Sequence, residues 1–150
     1  MKLERWALIA EVVSGVAVVV TLVFLVLGLQ ANTNATRAAV YGDLVDSINE
    51  IQLRGIDNPE WLALQQAMFS GPIDDLDSLE RQRLDILMVA IFRTYEKAYY
   101  SNRYSVIGGS EWDRFQSAMC GVYGQIQGTG LVNLGISAEF RDFLAQECSD

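Results

Sequence analysis

The 150-residue sequence predicts an all-α protein: one N-terminal transmembrane helix followed by a small helical bundle of about four to five helices. Three observations carry that expectation. Between Trp6 and Leu29 the only charged side chain is Glu11, whereas the residues from Gln30 onward carry nine basic and seventeen acidic side chains. Apolar residues of that second part recur at spacings of three and four, the period of a half-buried helix. No segment alternates in the manner of a strand between turn signals. Residues 1–30 therefore read as an anchor and residues 31–150 as an acidic helical domain.

The stretch Trp6 to Leu29 would be about 36 Å long as a helix, enough to cross a hydrocarbon core of roughly 30 Å once, with some tilt. A secretory signal peptide is the competing reading, since a short basic start precedes the stretch and Leu29-Gln30-Ala31 has a weak cleavage-site form. The apolar run exceeds the usual core of such a peptide, and the segment is retained as an anchor. At about 100° per residue, Ala10, Ser14, Ala17, Thr21 and Gly28 share one narrow stripe, and small residues let a second helix approach closely within lipid. Glu11 lies one to two turns inside the span. It reads either as an interfacial carboxylate favoured by the positive end of the helix dipole, or as a group that hydrogen-bonds a partner subunit.

Beyond the polar collar Asn32, Thr33, Asn34 and Thr36, no Gly or Pro interrupts the chain before Gly42, so the helix is expected to continue outward. Tyr41, Leu44, Ile48 and Ile51 give it an apolar face up to about Leu53, with Gly55 as its end. A second helix starts at Asn58 as N-cap with Pro59 first inside, carries Trp61, Leu64 and Met68 on one side, and stops at Gly71-Pro72. The third is the core helix, with Leu84, Leu87, Met88, Ile91, Phe92, Tyr95, Ala98 and Tyr99 on its buried face. Asp74, Asp75 and Asp77 before it lack the spacing and glycine of a calcium loop, and are read as caps and dipole compensation. After a loop at residues 106–109, Ser110-Glu111-Trp112-Asp113 has the form of a capping box, and Trp112, Phe115, Met119, Val122 and Ile126 trace a fourth helical face. The glycine-bearing loop from Gly128-Thr129-Gly130 to Gly135 matches no phosphate-binding fingerprint. Ser137 caps a short last helix with Phe140, Phe143 and Leu144.

Composition narrows the chemistry. There is no histidine, hence no imidazole base, metal ligand or haem ligand. A net charge of −8 opposes binding to nucleic acid phosphates. Cys120 and Cys148 are too few for a zinc site, and no histidine exists to activate either as a nucleophile. They are read as two partly buried free thiols; in an oxidising compartment they could instead bridge, tying the last helix to the one before it. No catalytic, cofactor or metal residues are assigned, and the chain is expected not to be an enzyme. Tyr95, Tyr99, Tyr100 and Trp112 form the one candidate ligand or partner surface. Helical spacing assigns Tyr95 and Tyr99 to the core first, with Tyr100 on the rim.

Glu11, Ala31-Asn32-Thr33, Arg37-Ala38-Ala39-Val40-Tyr41, Asp46-Ser47-Ile48-Asn49-Glu50 and the run Arg93 to Tyr100 resemble an uncharacterised family of bacterial single-pass membrane-anchored helical proteins. The likeness covers most of the chain and implies the bacterial inner membrane as its location, but no residue role. In that family basic residues usually follow the membrane helix, implying a cytoplasmic domain. Here Lys2, Arg5 and the amino terminus precede the span against Arg37 soon after it, which tilts the domain outward by the positive-inside rule. The side stays open, with a slight lean to the cytoplasm on the family pattern.

The function expected is that of a non-catalytic accessory or scaffold subunit. Its anchor would pack Ala10, Glu11, Ser14, Ala17, Thr21 and Gly28 against a larger membrane protein complex, a respiratory or photosynthetic assembly being one host. The alternative is a membrane-anchored sensor or signalling module whose bundle binds a small ligand in a pocket lined by Tyr95, Tyr99 and Trp112.

Overall fold

The computed structural model describes residues 2–70, 76–127 and 135–148. Among them are five helices and no strand: α1 (Lys2–Asp57), α2 (Pro59–Ser70), α3 (Ser78–Arg103), α4 (Ser110–Ile126) and α5 (Ala138–Glu147). The chain divides into two compact units, Met1–Ala38 and Ala39–Asp150.

The first unit is the N-terminal part of α1. Its most apolar 18-residue window has a mean hydropathy of 2.8 with none of it buried, making this one helix long and apolar enough to cross a membrane. The helix continues through the collar because Thr33 and Thr36 donate their hydroxyls to the carbonyls of Leu29 and Asn32, one turn back. Their polarity is satisfied within the helix and does not break it.

The second unit contains the core. Leu44 of α1, Leu84, Leu87, Met88 and Ala98 of α3, Met119 and Ile126 of α4, and Phe140 and Leu144 of α5 are completely buried. Burying a side chain of this size contributes roughly 1.5–3 kcal/mol each, so the α3 face holds much of the domain together. Tyr41, Ile48 and Ile51 of α1 pack against the same cluster as half-buried neighbours, and Tyr41 meets Phe115 of α4 edge-on at 6.1 Å. Tyr123 is also buried on α4, on the same stripe as Phe115 and Met119, and was not among the expected core positions.

The helix ends show which sequence signals govern. Asn58 Oδ1 accepts the N–H groups of Glu60 and Trp61 at 3.0 and 3.4 Å, as its place before Pro59 predicts. α1 nevertheless runs to Asp57 rather than ending at Gly55. One interior glycine costs only about 1 kcal/mol, whereas the residue before a proline is driven out of helical geometry, so Asn58-Pro59 sets the break. Asp77 forms a full capping box with Glu80, each carboxylate accepting the other's backbone N–H. Ser137 Oγ accepts from Phe140 N–H at 3.3 Å. The expected capping box at Ser110 is absent: the N-cap is Gly109, at φ 55° and ψ −137°, with no side-chain hydrogen bond. That backbone conformation suits glycine alone, and it places Ser110 one residue inside the helix, out of reach of a capping position. Met68's side chain, the stop at Gly71-Pro72, Asp74, Asp75 and the loop Gly128-Thr129-Gly130 lie outside the described residues.

The two cysteines are bonded rather than free. Cys120 of α4 and Cys148 at the C-cap of α5 form a disulfide with their Cα atoms 4.8 Å apart. Spacing alone could not show this, because the two sulfurs meet only when Phe140 and Leu144 seat α5 in the core.

Candidate functional site

Aromatic side chains of α3 take part in two separate groupings, one towards α1 and one around α5. Tyr95 follows Ile91 by one turn and faces the C-terminal part of α1, where Ile48, Ile51 and Gln52 share a face. With Gln65 of α2 and Val122 of α4, these residues line a cleft of about 330 Å³. Its walls are mostly aliphatic, and among the described residues no charged side chain lines it. Tyr95 is 6% exposed, and its ring meets Phe92 edge-on at 6.0 Å. Burial pushes its phenol above the ordinary value of 10.0, because the phenolate would lose its hydration there. Among the described residues, the enclosed side-chain polar atoms without a partner are Trp61 Nε1 and Arg141 Nε, so the polar groups of Tyr95, Gln52 and Gln65 at the cleft are not sealed orphans.

Tyr99, Tyr100 and Trp112 sit elsewhere, around α5. Tyr99 lies 5.4 Å from Phe140 and 4.8 Å from Phe143, ring centre to ring centre, and Trp112 lies 5.8 Å from Phe143. The Tyr100 hydroxyl pairs with Ser137 Oγ at 3.0 Å and donates to Glu139 at 3.3 Å. Arg103 forms an ion pair with Glu139 and donates to the Tyr99 hydroxyl at 3.3 Å. Glu96 accepts the backbone N–H of Ser137 at 2.7 Å. These contacts give Tyr99, Tyr100 and Trp112 a shared task in seating α5. Among the described residues, Tyr95 lines the cleft with Ile48 and Gln65, whereas Tyr99 and Trp112 both contact Phe143. Periodicity places Tyr95 and Tyr99 on one helix, but it does not say which neighbour each meets, and a one-turn advance of 400° carries the second ring about 40° around the axis.

On the anchor, Ala10, Glu11, Ser14, Ala17, Thr21 and Gly28 are all exposed. Thr21 donates its hydroxyl to the Ala17 carbonyl at 2.8 Å, so that donor is used within its own helix. A Cβ added at Gly28 would meet nothing within 4 Å. Large apolar side chains on the other faces are equally open, from Val20 at 47% to Trp6 at 71%. Among the described residues, no group of three His, Cys, Asp or Glu side chains could hold a metal ion.

The signal sequence reasoning missed is the pair Gln52 and Gln65, which line the cleft with the expected Tyr95. Each glutamine stands on a half-apolar helix face where a solvated reading is the ordinary one, and only the packing of three helices brings them to a common opening. Comparison of the chain with protein-family models, with curated proteins and with solved structures finds no match.

Proposed function

We propose that this chain is a single-pass, non-catalytic accessory subunit of a larger membrane protein complex, held in a bacterial inner membrane by the N-terminal part of α1. The observation that carries the reading is the exposure of every large apolar side chain described between Leu8 and Leu29 along an unbroken helix. At about 25 cal/mol per Å², that surface needs lipid or protein around it. The small-residue stripe through Ser14 and Ala17 is the side on which a neighbouring helix comes nearest, because packing rather than the hydrophobic effect selects partners within lipid. In the helical domain, Ile56 and Ile86 stand out as open apolar side chains and supply a second contact to the same partner.

Two observations support an outward-facing helical domain. The Cys120–Cys148 disulfide persists in an oxidising compartment and is rare in a bacterial cytoplasm. Lys2 and Arg5 lie before the span, and positive charge is retained on the cytoplasmic side. Both oppose the cytoplasmic side that the family pattern suggests.

The test is extraction of the tagged chain in polymer-bounded native membrane discs, with identification of co-extracted proteins. A defined membrane complex should accompany the chain and be lost from Ser14→Leu/Ala17→Leu. Extraction as a lone monomer, unchanged by those substitutions, overturns the scaffold reading. For sidedness, cells quenched with a thiol-blocking reagent should yield a chain whose gel mobility changes on reduction. A fully reduced pool would return the domain to the cytoplasm.

A further inference from the structure

We propose that the cleft around Tyr95 is a binding site for a small uncharged amphiphile: a short aliphatic body ending in an alcohol or carboxamide. The site is distinct from the partner-facing surfaces of the anchor and holds whether or not the chain belongs to a larger complex.

The lining selects this chemistry. Ile48, Ile51, Ile91 and Val122 offer aliphatic contact along α1, α3 and α4, and Gln52, Gln65 and the Tyr95 hydroxyl supply polarity without charge. Tyr95 is more than nine-tenths buried and lines the cleft, and its hydroxyl is not sealed from solvent. A ligand head seated there would accept the phenol's proton or donate to its oxygen, while the two carboxamides can serve as donor or acceptor. The phenol is a neutral donor across the physiological range, and burial raises its ionisation further.

Charge and size exclude the other occupants. Among the described residues no cationic side chain lines the cleft, so a carboxylate or phosphate would lose its hydration without compensation from them. A volume of about 330 Å³ falls at the small end of ligand sites. Seven lining side chains are too few for a folded partner, whose stable contacts take roughly 20–30 residues a side.

The probes are octanamide, 1-octanol and octanoate, titrated into the full-length chain in nanodiscs of phosphatidylcholine, with the side-chain amide resonances of ¹⁵N-labelled glutamine as readout. Octanamide and octanol should shift the Gln52 and Gln65 signals with saturation. Octanoate at neutral pH should bind at least about tenfold more weakly, in line with the cost of stripping water from a charge. Tyr95→Phe, which keeps the ring, should weaken octanamide by about three- to tenfold, the measure of one lost hydrogen bond. Ile91→Trp, which fills the opening, should abolish the shifts. Absence of saturable shifts, equal binding of octanoate, or unchanged titration in Tyr95→Phe would each overturn the assignment. Because Tyr95→Phe removes only a hydroxyl, it carries the test even if Ile91→Trp does not fold.

Discussion

The carboxylate of Glu96, in the C-terminal half of α3, accepts the backbone N–H of Ser137 at 2.7 Å, 41 residues along the chain. Ser137 is the N-cap of α5, and its own hydroxyl accepts the N–H of Phe140. A charge on one helix thus completes the start of another, in the position that a capping-box glutamate three residues further on would otherwise fill. Glu96→Ala should destabilise the domain by about 1–3 kcal/mol, since it leaves a part-buried N–H without its charged acceptor. Glu96→Gln, which retains an acceptor oxygen, should cost less. Chemical denaturation of the full-length protein in detergent reads both.

The Cys120–Cys148 bridge closes a loop with a sequence separation of 28. On the chain-entropy account a loop of that length stabilises by about 3–4 kcal/mol. Cys120→Ser/Cys148→Ser, or reduction of the wild type, should therefore lower the midpoint of thermal unfolding of the helical domain by several degrees. Equal midpoints with and without reductant would show that the bridge does not constrain the unfolded chain.

Burial raises the Tyr95 phenol above its ordinary value. Above pH 10 the unfolded chain releases that proton while the folded chain retains it, so the unfolded state binds fewer protons and stability falls as pH rises. The loss begins near the unfolded value of about 10 and continues through the folded one. Tyr95→Phe should flatten this part of the alkaline limb while leaving the slope below pH 9 unchanged. Unfolding midpoints measured between pH 8 and 11 in the two proteins provide the comparison.

Ser105 holds a left-handed conformation at φ 58° directly after the C-cap of α3. Its N–H donates to the carbonyl of Asn102 and that of Val106 to Ser101, both at 2.8 Å, the pattern of a helix end at which glycine is usual. Ser105→Gly should relieve the strain and stabilise by about 0.5–1 kcal/mol, less whatever the serine side chain contributes. Urea unfolding curves with an unchanged slope and a shifted midpoint would register it.

The helices were legible because each rests on a local rule: Leu84, Met88, Ile91 and Tyr95 keep helical spacing, and Asn58, Asp77 and Ser137 occupy capping positions. The exceptions arise where a neighbour in the chain overrides a motif. Pro59, not Gly55, decides where α1 stops, and the backbone of Gly109 displaces the cap from Ser110. The contents of the candidate site were less legible for a different reason. That Tyr95 belongs to the interior follows from its period. That Gln52 and Gln65 border it while Tyr99 and Trp112 gather around α5 depends on how four helices are rotated about their axes, which no single segment encodes.

The ten-residue α5 is held by a covalent bond at one terminus, a carboxylate at the other, and Phe140 and Leu144 between them. A helix of this length has almost no stability of its own, so its amide protons should exchange with deuterium only in step with global opening of the domain. Once the sulfurs are separated, the same amides should exchange ahead of those of α3, and proteases should find their first cleavage sites there.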